Sequence, residues 1–380
     1  MALYKTLVKK VSIPPDKKTK QKQYEVDGEL PIIDQGKKLI GGYSNDKTMK
    51  LECELPVIIF GDHTCAVKYI NFPFGAGADG IKVLEPKKTV LPKYLYYGTQ
   101  YLTLRFPDKG YARHYQHIEK MNLTIPPLPE QERIVTHIEE LFSELDNAVE
   151  TLQTTKQQLA VYRQAVLKEA FSEMPFSEYR PLREIMLNSP QNGLYKPKSD
   201  YGSGVRILRI DGFYNGFILP TYDFKRLQVS QEEISRYSLK VNDLVVNRVN
   251  SMPYLGKCAL VRKLDETTVF ESNMMRFRLN DEIVNSEYVT YYLSSLFGKK
   301  ELTKNAKQAV NQASINQTDV GNALIPVPID VLHQKKVVEI IESRLSVCES
   351  IEQTVDTALA QADAMRQSIL KQAFEGGFNQ

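Results

Sequence analysis

The chain has 380 residues, 42% of them hydrophobic and 25% charged, with a formal net charge of +3. That composition suits an ordinary soluble protein with room for two or three cores, and so small a charge argues nucleic-acid binding only where it is locally concentrated. No run approaches the ~18 apolar residues of a membrane helix, and Cys53, Cys65, Cys258 and Cys348 are too scattered for a zinc site or a disulfide framework.

Residues 1–125 read as a mixed, strand-rich domain. LPII (30–33), LPVIIF (55–60) and IKVL (81–84) are short apolar runs set among Gly, Pro, Asn and Asp, and Tyr94 to Leu104 reads as helical. FGAGADG (74–80) has G-x-G-x-x-G spacing at Gly75, Gly77 and Gly80. A dinucleotide cradle needs a helix opening at the third glycine. The IKVLEPKK that follows reads instead as strand and turn, so the stretch is expected to be a structural or ligand-facing loop. GDHT (61–64) sets Asp62 beside His63, and HYQH (114–117) sets His114 and His117 three apart. A catalytic zinc wants three protein ligands, and nothing nearby completes a set. These residues are either polar-loop residues with satisfied histidines or hydrogen-bonding groups for a ligand such as base edges.

Pro126, Pro127 and Pro129, with Leu128, Glu130 and Gln131, mark a rigid entry into a long helix spanning 126–174. Positions 138, 142, 145, 149, 152, 156, 159, 163, 166 and 170 alternate steps of four and three, and eight of the ten are apolar. A seam sustained this long predicts a coiled-coil helix of roughly 60 Å. The chain contains it twice. Gln131 and Gln334 are 203 residues apart, as are RQAVLKEAF (163–171) and RQSILKQAF (366–374), and the shifted seam is again apolar at eight of ten positions. Lys156 and Glu352 interrupt the two seams and are expected to offset each other. Between the helices, residues 175–324 form a second mixed domain that parallels the first in pattern, and 325–380 carry the second helix. Its proline run, IPVP (325–328), has three extra residues before Gln334. Two equal helices, each leaving its own globule, close most simply as an antiparallel pair in one chain. The fold class expected is therefore α+β with a pseudo-twofold plan, the globules at opposite ends of the pair.

Basic residues cluster in both globules among aromatic and amide side chains. The first offers Lys37, Lys68, Lys109 and Arg113 with Tyr43, Asn45 and Tyr69. The second offers Lys196, Lys198, Arg206, Arg209, Arg248, Lys257 and Arg276 with Tyr195, Asn247 and Asn250. Such residues supply phosphate contacts and base-edge readout; a single cluster reads better as a solvated surface, and it is the recurrence of two similar clusters on two globules that points to nucleic acid. No Gx4GK[ST], GxSxG, HExxH or N/D-P-P-Y/F stretch is present. A DNA-modifying enzyme therefore stands as a weaker alternative, beside a coiled-coil scaffold whose globules bind protein.

Several stretches together resemble the specificity subunit of type I restriction-modification enzymes. They are IPPLPEQERIV (125–135), the paired helix ends, NGLYKPKSDYGSGVRILRI (192–210), VNDLVVNRVNSMPYLGKCALV (241–261), FESNMMRFRL (270–279) and NQASINQTDVGNALIPVP (311–328). In the first half, VIIFGDHTCAVKYINFPFGAGADGIKVL (57–84) is similar to one variant of the family's target recognition domain. The resemblance implies two recognition domains reading a split sequence in double-stranded DNA, with the helices setting the unread spacer. It also implies two methylation subunits, docked through Pro126, Pro127, Leu128, Pro129, Glu130 and Gln131, and restriction subunits in the full complex. S-adenosylmethionine would then be held by the methylation subunit and no cofactor by this chain, which would be a non-catalytic protein of the bacterial or archaeal cytoplasm without membrane contact. IPVPIDVLHQKK departs from the PPLPEQ wording, which puts the equivalence of two docking sites in doubt.

Overall fold

The computed structural model describes residues 1–78, 80–106, 113–172, 177–220, 222–310, 312–328 and 330–376. Contacts divide the chain into two compact units, one of residues 1–154 with 355–380 and one of residues 155–354. The division cuts through both long helices. Each unit therefore holds one globule, the start of the helix that leaves it and the end of the other helix.

In the first unit an antiparallel sheet runs in the order Val8–Val11, Ile81–Pro86, Val57–Gly61, Val67–Ile70. The uninterrupted apolar run of Val57–Gly61 makes it a strand buried on both faces. Alternate side chains then serve two cores. Ile58 and Phe60 face the helix Pro92–Thr103, while Val57 and Ile59 face a smaller sheet of Lys18–Thr19, Gly75–Gly77, Leu30–Ile33 and Gly42–Ser44. Within FGAGADG, Gly75–Gly77 form a buried strand and Ala78 and Gly80 are half-buried bends, with Asp79 outside the described residues. A Cβ at Gly75 would stand 2.6 Å from Ile32, and one at Gly77 2.7 Å from the Asp34 Cβ. Strand packing therefore accounts for these two glycines.

The second unit repeats the plan. Its larger sheet runs Gln191–Asn192, Met274–Arg278, Asp243–Asn247, Cys258–Leu260, Gly216–Ile218, Phe213–Tyr214. Asp243–Asn247 is again the strand buried throughout. Leu244 and Val246 face the side covered by the helix Ser286–Ser294, and Val245 faces the other. The overall class is α+β.

The long helices are Leu128–Ser172 and Val331–Glu375, each of 45 residues, with ends 203 apart. Gly376 terminates the second with φ +94°, the left-handed cap conformation glycine tolerates best. In the first unit Ile134, Val135, Ile138 and Phe142 share a core with Ile369, Leu370, Ala373 and Phe374. In the second unit the positions shifted by 203 do the same, Val337, Val338, Ile341 and Leu345 with Val166, Leu167 and Phe171. Phe374 packs on Tyr94 and Tyr101, with ring centroids 5.0 and 5.4 Å away. Phe171 packs on Tyr288 and Tyr292 at 5.3 and 5.2 Å. Ion pairs give the direction. Arg344 meets Glu169 at 2.8 Å while Arg163 meets Glu352 at 3.4 Å, so one helix descends as the other climbs. In the first unit Arg366 meets Asp146, the equivalent of Arg163 meeting Glu349. Of the twenty seam positions only Lys156 is exposed. Glu352 is met by the buried Arg163, which also reaches Glu349 at 3.7 Å.

Candidate nucleic-acid interface and helix joints

Each globule is fixed to its outgoing helix by one buried glutamine. Gln131 is fully buried: its Oε1 accepts the Leu91 N–H at 2.8 Å, and its Nε2 donates to Thr89 O at 3.3 Å and Pro126 O at 2.8 Å. Gln334 repeats the arrangement with the Asn285 N–H at 2.7 Å, Ile283 O at 3.3 Å and Pro328 O at 3.4 Å. An amide suits this place because it satisfies one backbone donor and two acceptors where no water reaches. Pro328 therefore stands where Pro126 does, and the second joint carries one extra residue rather than three. About two turns further along each helix, Glu139 and Glu342 take up Tyr97 and Tyr291 hydroxyls at 3.4 and 3.2 Å. Within the expected docking element the side chains divide. Pro127, Leu128 and Pro129 are exposed, Pro126 is half-buried, and Glu130 is clamped by Arg133 through two bonds of 3.0 and 2.7 Å. Gln131 is engaged inside the protein and offers nothing to a partner.

The central buried strand of each globule ends at an equivalent place, and the sequence candidates converge there. In the first unit the strand ends in Gly61, followed by Asp62 and His63. Asp62 O accepts the His114 N–H at 2.8 Å, and the carboxylate accepts the Tyr115 N–H at 2.9 Å and Lys82 Nζ at 3.1 Å. Burial pushes the Asp62 carboxyl up, but the amide and the ammonium outweigh it and hold its pKa below the ordinary value. His114 is buried with its ring stacked on Phe106 at 5.8 Å, His63 is half-buried and Arg113 is exposed beside them. In the second unit the strand ends in Asn247, followed by Arg248. Arg248 O accepts the Ile315 N–H at 3.0 Å, as Asp62 O does for His114. GDHT and NRVN thus occupy the same position in the two globules. Their side chains have nothing in common; the shared element is a backbone carbonyl.

Around Asn247 the cations of the second unit gather on backbone oxygens. Arg248 donates to Ser272 O at 3.1 Å, Lys257 to Ile210 O at 2.6 Å, and Arg209 meets Glu271 at 3.2 Å. Burial lowers the Lys257 pKa, with Asp211 opposing, so an arriving anion would stabilise its charged form. Asn250 is half-buried and accepts the Ser251 N–H at 2.8 Å. Asn247 itself is fully buried, with its Nδ2 on Tyr254 O at 3.2 Å, so it shapes the loop from within.

Other sequence candidates lie elsewhere. Lys37, Lys68 and Tyr69 line a pocket of about 370 Å³ with Lys93, Tyr96 and Glu139. Lys68 is buried on Asp34 O at 2.8 Å, and burial outweighs Asp34 in lowering its pKa. Tyr43 and Asn45 belong to the smaller sheet and its exit, where Asn45 donates to Glu25 at 2.5 Å. Lys196 pairs with Glu233 at 2.9 Å, Arg206 with Glu266 at 2.5 Å, and Arg276 is held by Ser238 O, Gln191 and Asp243. Tyr195 and Lys198 stand exposed on the segment before the Tyr201–Leu208 strand. Lys109 lies outside the described residues. Among the described residues no group of three or more His, Cys, Asp or Glu is placed to hold a metal, and no helix is long and apolar enough to cross a membrane.

The sequence profile of the family described as "Type I restriction modification DNA specificity domain" matches residues 11–160 and again residues 187–361. The chain belongs to that family. Its two matched stretches are the two globules with the helices that leave them, so the family's domain occurs twice. The EcoKI specificity subunit of Escherichia coli (strain K12) is 29% identical over 269 residues, 67% of this chain, and the match takes in 57% of that relative's length. The EcoR124I/EcoR124II specificity subunit of Escherichia coli is 25% identical over 354 residues, 87% of this chain and 83% of the relative. A chain solved for the structural basis of complex assembly and conformational transition of the type I R-M system superposes with a TM-score of 0.62 at 16% identity, covering 98% of this chain and 96% of that one. Those last values show a shared fold.

Proposed function

We propose that this specificity-family chain is the DNA-reading, non-catalytic subunit of a type I restriction-modification complex in the bacterial or archaeal cytoplasm. Residues 1–125 and 175–324 are its target recognition domains, each reading one part of a split duplex sequence. Residues 126–174 and 325–380 are the helices that set the spacer and dock two methylation subunits, which bring S-adenosylmethionine; restriction subunits join the complete assembly. The observation that carries this reading is the doubled match to a DNA specificity domain, one copy per globule. The cations Arg248 and Lys257 in the second unit and Arg113 in the first, set around the end of each central strand, supply groups suited to phosphate and base edges. Pro127, Leu128, Pro129 and the half-buried Pro126 form the docking surface at the first joint, with Glu130 at its border; the altered wording of the second joint makes the two docking sites unequal.

The test is duplex binding by the chain together with its methylation partner, measured across a salt series. Affinity should fall steeply and linearly in log–log form as salt rises, as counterions are released. Absence of duplex binding at low salt would overturn the reading.

A further inference from the structure

The end of the central strand in the second unit carries an appendage that the sequence candidates do not include. Val249–Asn250 pairs with Ala313–Ser314, which pairs with Lys307–Gln308, so the chain after the helix Leu296–Thr303 returns as an antiparallel hairpin. The hairpin is anchored at one end only. Ala313 and Ile315 are buried in the main core, and the Ile315 N–H donates to Arg248 O. Strand alternation then turns Gln312 and Ser314 to one face, with Lys307 directly across from Ser314, while Gln308, across from Ala313, is exposed on the other face. Lys307, Gln308, Ala309, Val310 and Gln312 are all exposed, Val310 at 99%.

The chemistry of this hairpin is unusual for a solvated turn. From Thr303 to Gln317 there is no Asp or Glu, while six residues are Asn or Gln. Some of these amides have structural work: Asn316 caps the helix Gln317–Gly321, and Gln317 donates to Pro190 O at 2.6 Å. Lys307, Gln308 and Gln312 make no side-chain bond among the described residues. Lys307–Gln308 is the outer edge of a three-stranded sheet, and the two strands beyond Val249–Asn250, ~4.8 Å apart, are together of a size that the DNA major groove admits. Gln can pair with an adenine edge through two hydrogen bonds, a lysine can reach guanine or phosphate, and an exposed aliphatic side chain can cover a thymine methyl.

We infer that the paired strands Lys307–Gln308 and Ala313–Ser314 form a base-reading ribbon of the second recognition domain, with Gln308 and Gln312, one on each face, as specificity-determining side chains, Lys307 as a phosphate contact and the exposed Val310 as an apolar contact. The inference rests on the DNA-reading function proposed above. It assigns the work of recognition beside Arg248 to a segment whose backbone Arg248 itself anchors.

The experiment uses the full chain with its methylation partner and maps methylated sites for wild type, for Gln308→Ala combined with Gln312→Ala, and for Lys307→Ala. All three positions are exposed, so folding should be unaffected. The double variant should relax discrimination at one half of the target roughly tenfold and leave the other half as in wild type. Lys307→Ala should keep the preferred sequence and reduce the slope of log affinity against log salt by about one. The inference is overturned if the double variant reads both halves as wild type does, or loses both equally. A wild-type complex that methylates without sequence preference would instead overturn the DNA-reading function on which it rests.

Discussion

Replacing Gln131 with Ala removes three hydrogen bonds from a site with no solvent. The Leu91 N–H is then left buried without its acceptor, at a cost of ~1–3 kcal/mol. The two carbonyls and the small void add ~1–2 kcal/mol more, giving ~2–5 kcal/mol in all. Two compact units need not unfold together, so a single melting temperature is the wrong measure. Amide hydrogen exchange is the right one, because the lesion is local. At ~1.4 kcal/mol per tenfold, the Leu91 amide should exchange on the order of a hundredfold faster. Gln334→Ala should do the same to the Asn285 amide in the other unit and leave Leu91 unaltered. Gln131→Glu gives a sharper version. The carboxylate still accepts from Leu91, but it faces the carbonyls of Thr89 and Pro126 with no proton to donate. Burial and those carbonyls raise its folded-state pKa above the unfolded value, so the variant is most destabilised above the raised pKa. It recovers as pH falls and the protonated acid donates to one carbonyl. Unchanged protection of Leu91 in Gln131→Ala, or a Glu variant that grows less stable as pH falls from neutrality, would refute the argument.

Phe374→Ala should cost ~3–5 kcal/mol, detected as increased exchange along Pro92–Thr103, and Phe171→Ala should act equally on Ser286–Ser294; unequal losses would contradict the equivalence of the two cores. The Asp62 carboxyl is held below its ordinary pKa of 3.8, so its contribution is complete above that value and disappears as pH falls through the folded-state value. Urea midpoints measured between about pH 5 and pH 2 should therefore fall less steeply in Asp62→Asn than in wild type. Arg248→Ala should relax one half-site by ~1–3 kcal/mol of discrimination. Methylation mapping that finds both half-sites relaxed would count against independent recognition domains.

The long helices are legible because their seam repeats with period 3.5 and recurs without a gap 203 residues later. Central strands are legible where LPVIIF and DLVVN run apolar on consecutive positions, a pattern that only burial on both faces rewards. The joint was half visible. Gln131 and Gln334 align, but their partners are backbone groups about 40 and 50 residues away, so a docking side chain and a buried staple look identical in sequence. The equivalence of Asp62 and Arg248 is invisible for a related reason, since backbone position carries it and the side chains have opposite charge. Basic clusters mislead most. Glu233, Glu266 and Glu271 lie far along the chain from Lys196, Arg206 and Arg209, and only folding reveals which cations are already neutralised. The pairing of Lys307–Gln308 with Ala313–Ser314 is not legible in the sequence, because short polar strands have no periodicity to mark them.

The central claim is that two equivalent globules read two separate words of DNA. It is tested most directly by mapping every methylated adenine in DNA from a host carrying this chain with its methylation partner. The account predicts one two-part sequence, its halves separated by a constant number of bases of any identity. A single contiguous word, or methylation with no sequence preference, would contradict it.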